Sequence, residues 1–522
     1  MKLRLDDLLR AAGLGGGGAI WGLGLARLAA EAGFQPSFYG SPTIVTGVAV
    51  VGAVAAITLQ LRPRRSPRSL DPASSKFYLF FFVLVALPLP YVTGVVAHPL
   101  AGCVLVIGGA ALALLVVWEN RPRWVPPFVL GISTLALYLR TLLPSVGVAD
   151  TFEFQVVVPR LAIAHPTGYP LYVLLGKLFT LLPLGDVAWR VNLASAVFAT
   201  AAVLVLYLLL LRPTIFRQPQ DACPRSIPIR WLSAFLAALT FAFSSTFWSQ
   251  AVIAEVYTLH NLFVAVILWF LLDPFPFNLS RLSPARRWQA IFFLMGLSLT
   301  NHLPVALLLP AVALALLWDR PRLRLREWAI AGGAFCVGLS VYLFIPLRWP
   351  AINDGEWMTL RGFLFYVTGG QFHAALQLDG WRDPARWLIV WRLLGQPGGW
   401  IGLALVAVGL GRLTLHQRRT LALTGVTFLA FAAYGLTYHV PDVAVFLLPA
   451  HLILAVWMGC GASYLTGLIG LLFSSTPARM KRSPSGRKRP RLAEIAARLR
   501  PFAGGGISLL VCAVFGFHCL SR

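Results

Sequence analysis

Long apolar segments recur along the whole chain, and they constrain its fold more than any other feature. Stretches of roughly 17 to 25 apolar residues, each sufficient to cross a hydrocarbon core of about 30 Å, follow one another from the N-terminal region to the C-terminus. Of the 522 residues, 58% are hydrophobic and 12% are charged, and the mean hydropathy is +0.75. These values exclude a soluble domain and predict an all-α polytopic membrane protein.

The basic residues are unevenly distributed, and this bears on topology. A net charge of +25 would suit a nucleic-acid partner if the charge lay on one face. Instead, Lys and Arg concentrate in alternate connections: 62–76, 121–123, 212–230, 281–287, 320–326, 412–419 and 479–500. This is the positive-inside pattern, so we expect no nucleic-acid partner and a cytoplasmic N-terminus.

Apolar length and loop charge together predict about fifteen spans. They lie near 11–31, 38–61, 77–97, 99–118, 124–143, 189–211, 231–248, 256–272, 288–300, 303–318, 328–347, 397–411, 420–437, 443–469 and 503–520. The predicted organisation is an N-terminal extension of about four spans over 1–123, a main membrane domain over 124–470, a basic cytoplasmic linker over 471–502 and a C-terminal span over 503–522.

Two predicted outer connections, 144–188 and 348–396, are too long to be simple turns. The first mixes apolar and polar residues and is interrupted by prolines, which predicts short amphipathic helices at the membrane surface. The second is rich in Trp, Arg, Asp and Gly, a composition typical of an interface or a binding site. The six cysteines show neither pairing nor metal-ligand spacing, and no nucleotide-binding loop is recognisable, so no cofactor is assigned with certainty.

Two carboxylates follow directly on the span that ends near residue 143. Asp150 and Glu153 share one face if this stretch is helical. At a membrane boundary a carboxyl group loses part of its hydration, which raises its pKa toward the range useful for a general base. The structural alternative is an acid pair that stabilises a helix N-terminus.

The same connection continues with His165 and Tyr169 in a Pro-Gly turn, and Arg190 begins the next span. These three residues are candidates for binding phosphate or sugar. A histidine before such a turn is often structural.

Further polar residues fall at the predicted outer level of later spans. Glu255 is costly to bury unless it is functional or paired with an Arg or His. Asn301 and His302 interrupt an apolar hairpin, where either a hydrogen-bonded turn or a binding role explains them.

A cation and an acid follow at the start of the second outer connection. Arg348 suits bidentate contact with a lipid phosphate, with interfacial snorkelling as the alternative. Asp354 is a candidate substrate-binding residue, and together with Glu356 it offers oxygen ligands for a divalent metal, although such spacing is too common to decide.

Several motifs resemble a known family. They are DTFEFQ at 150–155, HPTGYPLY at 165–172, WRVNL at 189–193, WSQAVIAEVYTLH at 248–260, GLSLTNH at 296–302, PLR at 346–348 and VTGGQF at 367–372. Over roughly 124–465 the chain resembles bacterial membrane proteins that share a domain with transmembrane protein 260, grouped with protein O-mannosyltransferase-like enzymes. The resemblance implies a glycosyltransferase C type fold, a polyprenyl-phosphate sugar donor, and a catalytic role for Asp150 and Glu153.

This chain departs from the family's common Gly-Asp-Ser-Gly-Glu motif at three positions, where it has Ala149, Thr151 and Phe152. Both acids are retained, but the flexibility of the turn is reduced.

Together the residues and the resemblance predict a membrane glycosyltransferase that moves a sugar, mannose in the resembled family, from a polyprenyl-phosphate donor to an acceptor hydroxyl on a protein or glycan. The expected partners are membrane lipid, the lipid-linked sugar and that acceptor. The expected location is a bacterial plasma membrane with the site outside. Two alternatives remain open from the sequence, a lipid-linked sugar flippase or exporter and a noncatalytic envelope-assembly scaffold.

Overall fold

In a computed structural model of the protein, the described residues are 124–212, 215, 227–272 and 283–473. The predicted N-terminal extension over 1–123, most of the basic linker and the C-terminal span over 503–522 lie outside them. Chain contacts define a compact unit made of Pro127–Gln218 and Ser233–Gly461. Every residue of the candidate site belongs to this unit.

The described residues are helical apart from irregular connections and one isolated β-bridge between Leu376 and Tyr438. The α-helices are α1 (Val125–Thr141), α2 (Ala149–Arg160), α3 (Pro170–Thr180), α4 (Val187–Leu210), α5 (Ile227–Ala242), α6 (Ser245–Ala251), α7 (Tyr257–Leu272), α8 (Pro284–Leu299), α9 (Leu309–Asp319), α10 (Leu325–Leu339), α11 (Phe344–Arg348), α12 (Leu360–Val367), α13 (Pro384–Gly395), α14 (Gly399–His416), α15 (Arg418–Thr437), α16 (Val443–Phe446) and α17 (Leu448–Phe473).

The lengths of these helices confirm the predicted membrane fold. Five helical segments in the described part of the chain are long and apolar enough to cross a bilayer: Val187–Leu210, Leu325–Ile352, Gly399–His416, Arg418–Thr437 and Leu448–Leu465. A sixth is formed by Arg230–Ala242 with Ser245–Ala251 if this pair, bent by 70°, counts as one span. The prediction of about fifteen spans includes segments outside the described residues.

The first outer connection contains the two short helices predicted for it, α2 and α3, between α1 and α4. Pro159 lies in the last turn of α2, which ends at Leu161 with a φ of 51°. Pro170 occupies the first turn of α3, where its missing N–H costs nothing. The Asp186 side chain accepts a hydrogen bond of 2.6 Å from the Trp189 backbone N–H and so begins α4. Prolines and a cap thus fix the boundaries of these helices.

Ala149 begins α2 with a φ of 52°, in the left-handed region that favours glycine. A Cβ in this conformation costs roughly 1–2 kcal/mol. We therefore expect Ala149→Gly to stabilise the protein by up to about 1 kcal/mol, because it removes this strain at some cost in unfolded-state entropy. Thermal unfolding of the two proteins in nanodiscs measures the difference. A lower midpoint for the glycine variant would contradict the left-handed assignment.

Helices α8 and α10 cross where glycine leaves room for the opposing backbone. A Cβ on Gly296 would lie 2.1 Å from the carbonyl oxygen of Phe335, and one on Gly338 would lie 2.4 Å from that of Phe293. Both distances are shorter than van der Waals contact. Small residues at such crossings are the usual way in which membrane helices pack closely.

At one end of the bundle, Asp319 is held by two arginines. Arg287 approaches its Oδ2 to 3.0 Å, and Arg419 reaches both carboxylate oxygens at 2.8 and 2.9 Å. The same guanidinium groups donate to carbonyls at the C-terminal end of α7, those of Phe270 and Leu271. Arg287, Asp319 and Arg419 come from separate connections that loop charge assigned to one side, so their contact supports that grouping.

Candidate active site

Asp150, Glu153 and His165 form one cluster within the first outer connection. The His165 Nδ1 lies 2.5 Å from Glu153 Oε2, and its backbone N–H donates to Glu153 Oε1 at 2.7 Å. The His165 Nε2 lies 3.9 Å from Asp150 Oδ2. The side chain of Asp150 is 54% exposed, against 33% for Glu153 and 24% for His165. Asp150 is therefore the most exposed of the three side chains.

Each partner of the Glu153–His165 pair changes the other's pKa. Burial alone would lower the pKa of His165, but the hydrogen bond and charge of Glu153, with the charge of Asp150, outweigh it and raise the pKa. Burial alone would raise the pKa of Glu153, but the hydrogen bonds and charge of His165 lower it. Each partner thus favours the charged form of the other, and the His165 ring lies beside Asp150.

The cluster has ligand types and spacing that suit a metal ion. One ligand atom from each of Asp150, Glu153 and His165 lies within 4.8 Å of the others. Oxygen and imidazole ligands of this kind bind Zn²⁺ or Mn²⁺. The Glu153–His165 hydrogen bond also gives both side chains a partner directly. The geometry therefore suits both a metal-bound and a metal-free state of the cluster. Within the described part of the chain, Asp354 and Glu356 belong to no such group.

Aromatic rings connect this cluster to the predicted residues of later spans. The Tyr169 hydroxyl lies 3.2 Å from His165 Nε2, and its ring stacks on His302 with centroids 6.2 Å apart. His302 also packs edge-on against Tyr257, at 5.2 Å. Asn301 is buried beside it and donates to the Val256 carbonyl at 3.3 Å. The structure therefore brings Tyr169, Asn301 and His302 together with the acid cluster.

Glu255 lies in the connection between α6 and α7 and is 8% exposed. Its Oε1 accepts a hydrogen bond of 3.3 Å from the Thr151 hydroxyl. Ser195 on α4 holds its backbone, because the Ser195 hydroxyl contacts both the N–H and the carbonyl of Glu255 at 3.1 Å. The sequence left a functional role and a pairing with an Arg or His open for this acid. Among the described residues its carboxylate has the Thr151 hydroxyl as a partner and no Arg or His.

Burial and then the charge of Asp150 raise the pKa of Glu255 to about 8. Glu255 is therefore protonated at neutral pH and able to donate a hydrogen bond. Because the folded pKa lies above the ordinary value, its contribution to stability is complete in acid and is lost as pH rises toward 8.

We expect Glu255→Gln, which stays neutral, to flatten the pH dependence of stability. Between about pH 5 and about pH 9, thermal unfolding midpoints of the wild type should fall more steeply than those of the variant. Parallel curves for the two proteins would show that Glu255 does not titrate in this range.

Arg190 makes hydrogen bonds to backbone carbonyl groups. Its Nη1 donates to the carbonyls of Thr180 and Leu182 at 2.5 and 2.8 Å, and its Nε donates to that of Asp186 at 3.2 Å. These bonds close the connection between α3 and α4. No contact among the described residues joins Arg190 to the acid cluster. Its role in substrate binding stays a prediction.

Arg348 lies at the C-terminal end of α2. Its Nε donates to the Leu161 carbonyl at 2.8 Å and its Nη2 to that of Arg160 at 3.1 Å, so it caps this helix. Asp150 is at the opposite end of α2, where the backbone is roughly 15 Å away at 1.5 Å per residue. The role of Arg348 in binding a lipid phosphate stays a prediction.

Asp354 lies in an exposed turn with a φ of 47°. No hydrogen bond or ion pair among the described residues joins it to the acid cluster.

Two residues near the site, Tyr257 and Asp442, were not among the predicted ones. Asp442 follows α15 and accepts a hydrogen bond from the Tyr257 side chain. Burial and the charge of Asp150 raise its pKa, and its own charge acts on Glu255. The outer position of Asp442 after a predicted span was the available signal, but nothing in its local sequence links it to residue 150.

Comparison with known families bears on the same residues. Residues 150–325 match the family model described as the protein O-mannosyl-transferase TMEM260 N-terminal domain. This segment is therefore similar to the TMEM260 N-terminal domain. The predicted resemblance is thereby confirmed over a segment that begins at Asp150 and includes Glu153, His165, Glu255 and His302. Arg348 and Asp354 lie beyond it.

Two curated relatives are named protein O-mannosyl-transferase TMEM260. Protein O-mannosyl-transferase TMEM260 of Mus musculus is 33% identical over 247 residues, which cover 44% of this chain and 32% of that protein. The Dictyostelium discoideum protein of the same name is 28% identical over 312 residues, 55% of this chain and 36% of its own length. The chain spans about a third of the length of the curated relatives it matches.

Two solved structures of ArnT from Cupriavidus metallidurans also align with this TMEM260-related chain. The form bound to undecaprenyl phosphate gives a TM-score of 0.49 at 13% identity, and the apo form gives 0.44 at 14%. Each alignment covers 76% of this chain and 75% of the other.

Proposed function

We propose that this protein is a membrane glycosyltransferase of the C type that moves a sugar from a polyprenyl-phosphate donor to an acceptor hydroxyl at the outer membrane face. The observation that carries the proposal is the exposed carboxylate of Asp150 beside a partly buried His165–Glu153 pair. The names of the TMEM260 relatives favour mannose as the sugar and a protein hydroxyl as the acceptor.

Asp150 is the general base of the proposed reaction. As the acceptor oxygen forms a bond to the anomeric carbon, its proton passes to a carboxylate oxygen of Asp150. The bond between the anomeric carbon and the phosphate oxygen breaks, and its electron pair leaves with the lipid phosphate. A single displacement of this kind inverts the anomeric centre.

The neighbouring groups hold Asp150 in a fixed electrostatic setting. The His165 ring, anchored by Glu153, lies 3.9 Å from Asp150 and can orient its carboxyl group. Glu255 has a pKa raised to about 8, so near neutral pH it presents a hydrogen-bond donor rather than a second negative charge. The exposed Asp150 and the buried Glu255 therefore have different environments, which suits them to different roles.

A reconstituted assay tests the proposal against the flippase alternative. Proteoliposomes are loaded with polyprenyl-phosphate mannose labelled in the sugar, and a peptide containing Ser and Thr is added outside. Label recovered on the peptide supports the transferase. Label that changes leaflet while it remains on the lipid, with none on the peptide, supports a flippase and overturns the proposal.

A further inference from the structure

The connection between α15 and α16, residues 438–442, follows the end of the family match, yet its Asp442 is hydrogen-bonded to Tyr257 and lies within the electrostatic reach of Asp150. We call it the Tyr438–Asp442 turn. Asp442 accepts a hydrogen bond from Tyr257, which is the first residue of α7 and lies two positions after Glu255. The charge of Asp150 acts on both Glu255 and Asp442. Three carboxyl groups from three connections therefore share one electrostatic neighbourhood.

The second outer connection fixes this turn in place. The Gln377 N–H donates to the Thr437 carbonyl, and the His439 N–H donates to that of Ala375, each at 2.8 Å. These bonds flank the antiparallel bridge between Leu376 and Tyr438. The turn is thus paired, as in a short piece of sheet, with a segment more than sixty residues earlier.

Arg386 on α13 provides a second attachment. It is 8% exposed, and its Nη2 donates to the carbonyls of Gly435 and Tyr438 at 2.5 and 2.7 Å. These carbonyls are among those left unpaired where α15 ends. A buried guanidinium bonded to both of them sets the direction in which the chain leaves the helix.

Aromatic rings pack together at the turn next to an exposed acid, and the Tyr438 side chain itself is buried. Tyr438 stacks on Tyr434 with centroids 4.9 Å apart and packs edge-on against Phe446 at 5.1 Å. Asp442 is exposed, unlike Glu255. Aromatic faces with a few placed polar groups are typical of sites that bind small polar ligands, and a carboxylate accepts hydrogen bonds from hydroxyl groups.

We propose that Asp442 contacts hydroxyl groups of the transferred sugar, and that Arg386 is the positioning residue that holds Asp442 toward them. The proposal rests on the glycosyltransferase function given above. Asp150 meets the acceptor from the aqueous side, whereas Asp442 is bonded to Tyr257 beside the buried Glu255. The sugar of the donor then occupies the space between Asp150 and Asp442.

Steady-state kinetics with polyprenyl-phosphate mannose and a Ser/Thr peptide test this assignment. Asp442→Asn should raise the KM for the donor about tenfold, because a hydrogen bond to a charged group is weakened, and should lower kcat less. The KM for the peptide should not change. Asp379→Asn, an exposed acid on the segment that pairs with the turn, is the matched control and should behave as the wild type.

Arg386→Met should also raise the donor KM. The double variant with Asp442→Asn should have a donor KM no higher than that of the more impaired single variant. Arg386→Lys should recover part of the loss. A normal donor KM in Asp442→Asn, or a rise in the peptide KM alone, overturns the proposal. If Arg386→Met fails to fold, the donor KM of Asp442→Asn still tests the proposal.

A binding measurement distinguishes failure of the sugar-contact proposal from failure of the glycosyltransferase proposal. If the wild type transfers nothing from this donor, saturation-transfer NMR measures the binding of methyl mannoside. Binding by the wild type that Asp442→Asn loses supports the sugar-contacting role. Equal binding by both proteins, or none by the wild type, overturns it.

Discussion

Asp150→Asn is expected to lower the rate of sugar transfer by about a thousandfold, within the 10²–10⁴ range of general base catalysis. An amide of the same shape cannot accept the proton of the acceptor hydroxyl. Because Asp150 is exposed and its carboxylate is not part of the Glu153–His165 hydrogen bond, the variant should fold normally. Initial rates with labelled donor, at protein amounts matched by size exclusion, measure the effect.

Glu356→Gln serves as the control, since it removes an exposed acid of the second outer connection that the cluster does not touch. Its rate should equal that of the wild type. Transfer by Asp150→Asn within about threefold of the wild type would remove Asp150 from the role of base.

Asp319→Ala should destabilise the fold by about 3 kcal/mol. Arg287 and Arg419 would then keep their positions at the end of α7 without the carboxylate that neutralises them. Removing one member of a largely buried ion-pair network is far more costly than the loss of an exposed ion pair. Thermal inactivation in detergent should therefore be much faster than in the wild type.

The location of Asp319 separates this effect from catalysis. It lies at the bundle end formed by the basic connections, so the folded fraction of the variant should keep a normal donor KM. A stability indistinguishable from that of Glu356→Gln would show that the three side chains do not form the proposed network. A normal stability with an altered KM would place Asp319 at the catalytic end.

The sequence supported most of the helical architecture because span length and the amphipathic pattern are local properties. The helix predicted for 189–211 is observed as Val187–Leu210, and the one for 420–437 as Arg418–Thr437. The two surface helices of the first outer connection were predictable from its prolines. The TMEM260 motifs added the identity of the acid pair.

The contacts between distant residues could not be predicted in this way. The spacing of Asp150 and Glu153 favours a shared helical face, but it does not indicate that Glu153 binds His165 while Asp150 remains open. Arg348 occurs in a suitable outer position for a phosphate ligand, yet its guanidinium is bonded to the end of α2. Asp442 joins the site through contacts between distant residues, among them the pairing of residues 375–377 with residues 437–439 and its own hydrogen bond with Tyr257.

The account depends on Asp150 facing the outer aqueous phase, and thiol labelling in intact cells tests this directly. In a variant whose six native cysteines are replaced, Asp150→Cys is exposed to a membrane-impermeant maleimide, and Arg322→Cys in a predicted cytoplasmic connection is the control. We predict that position 150 is labelled in intact cells and that position 322 is labelled only after permeabilisation. Labelling at position 150 that requires permeabilisation would contradict the account.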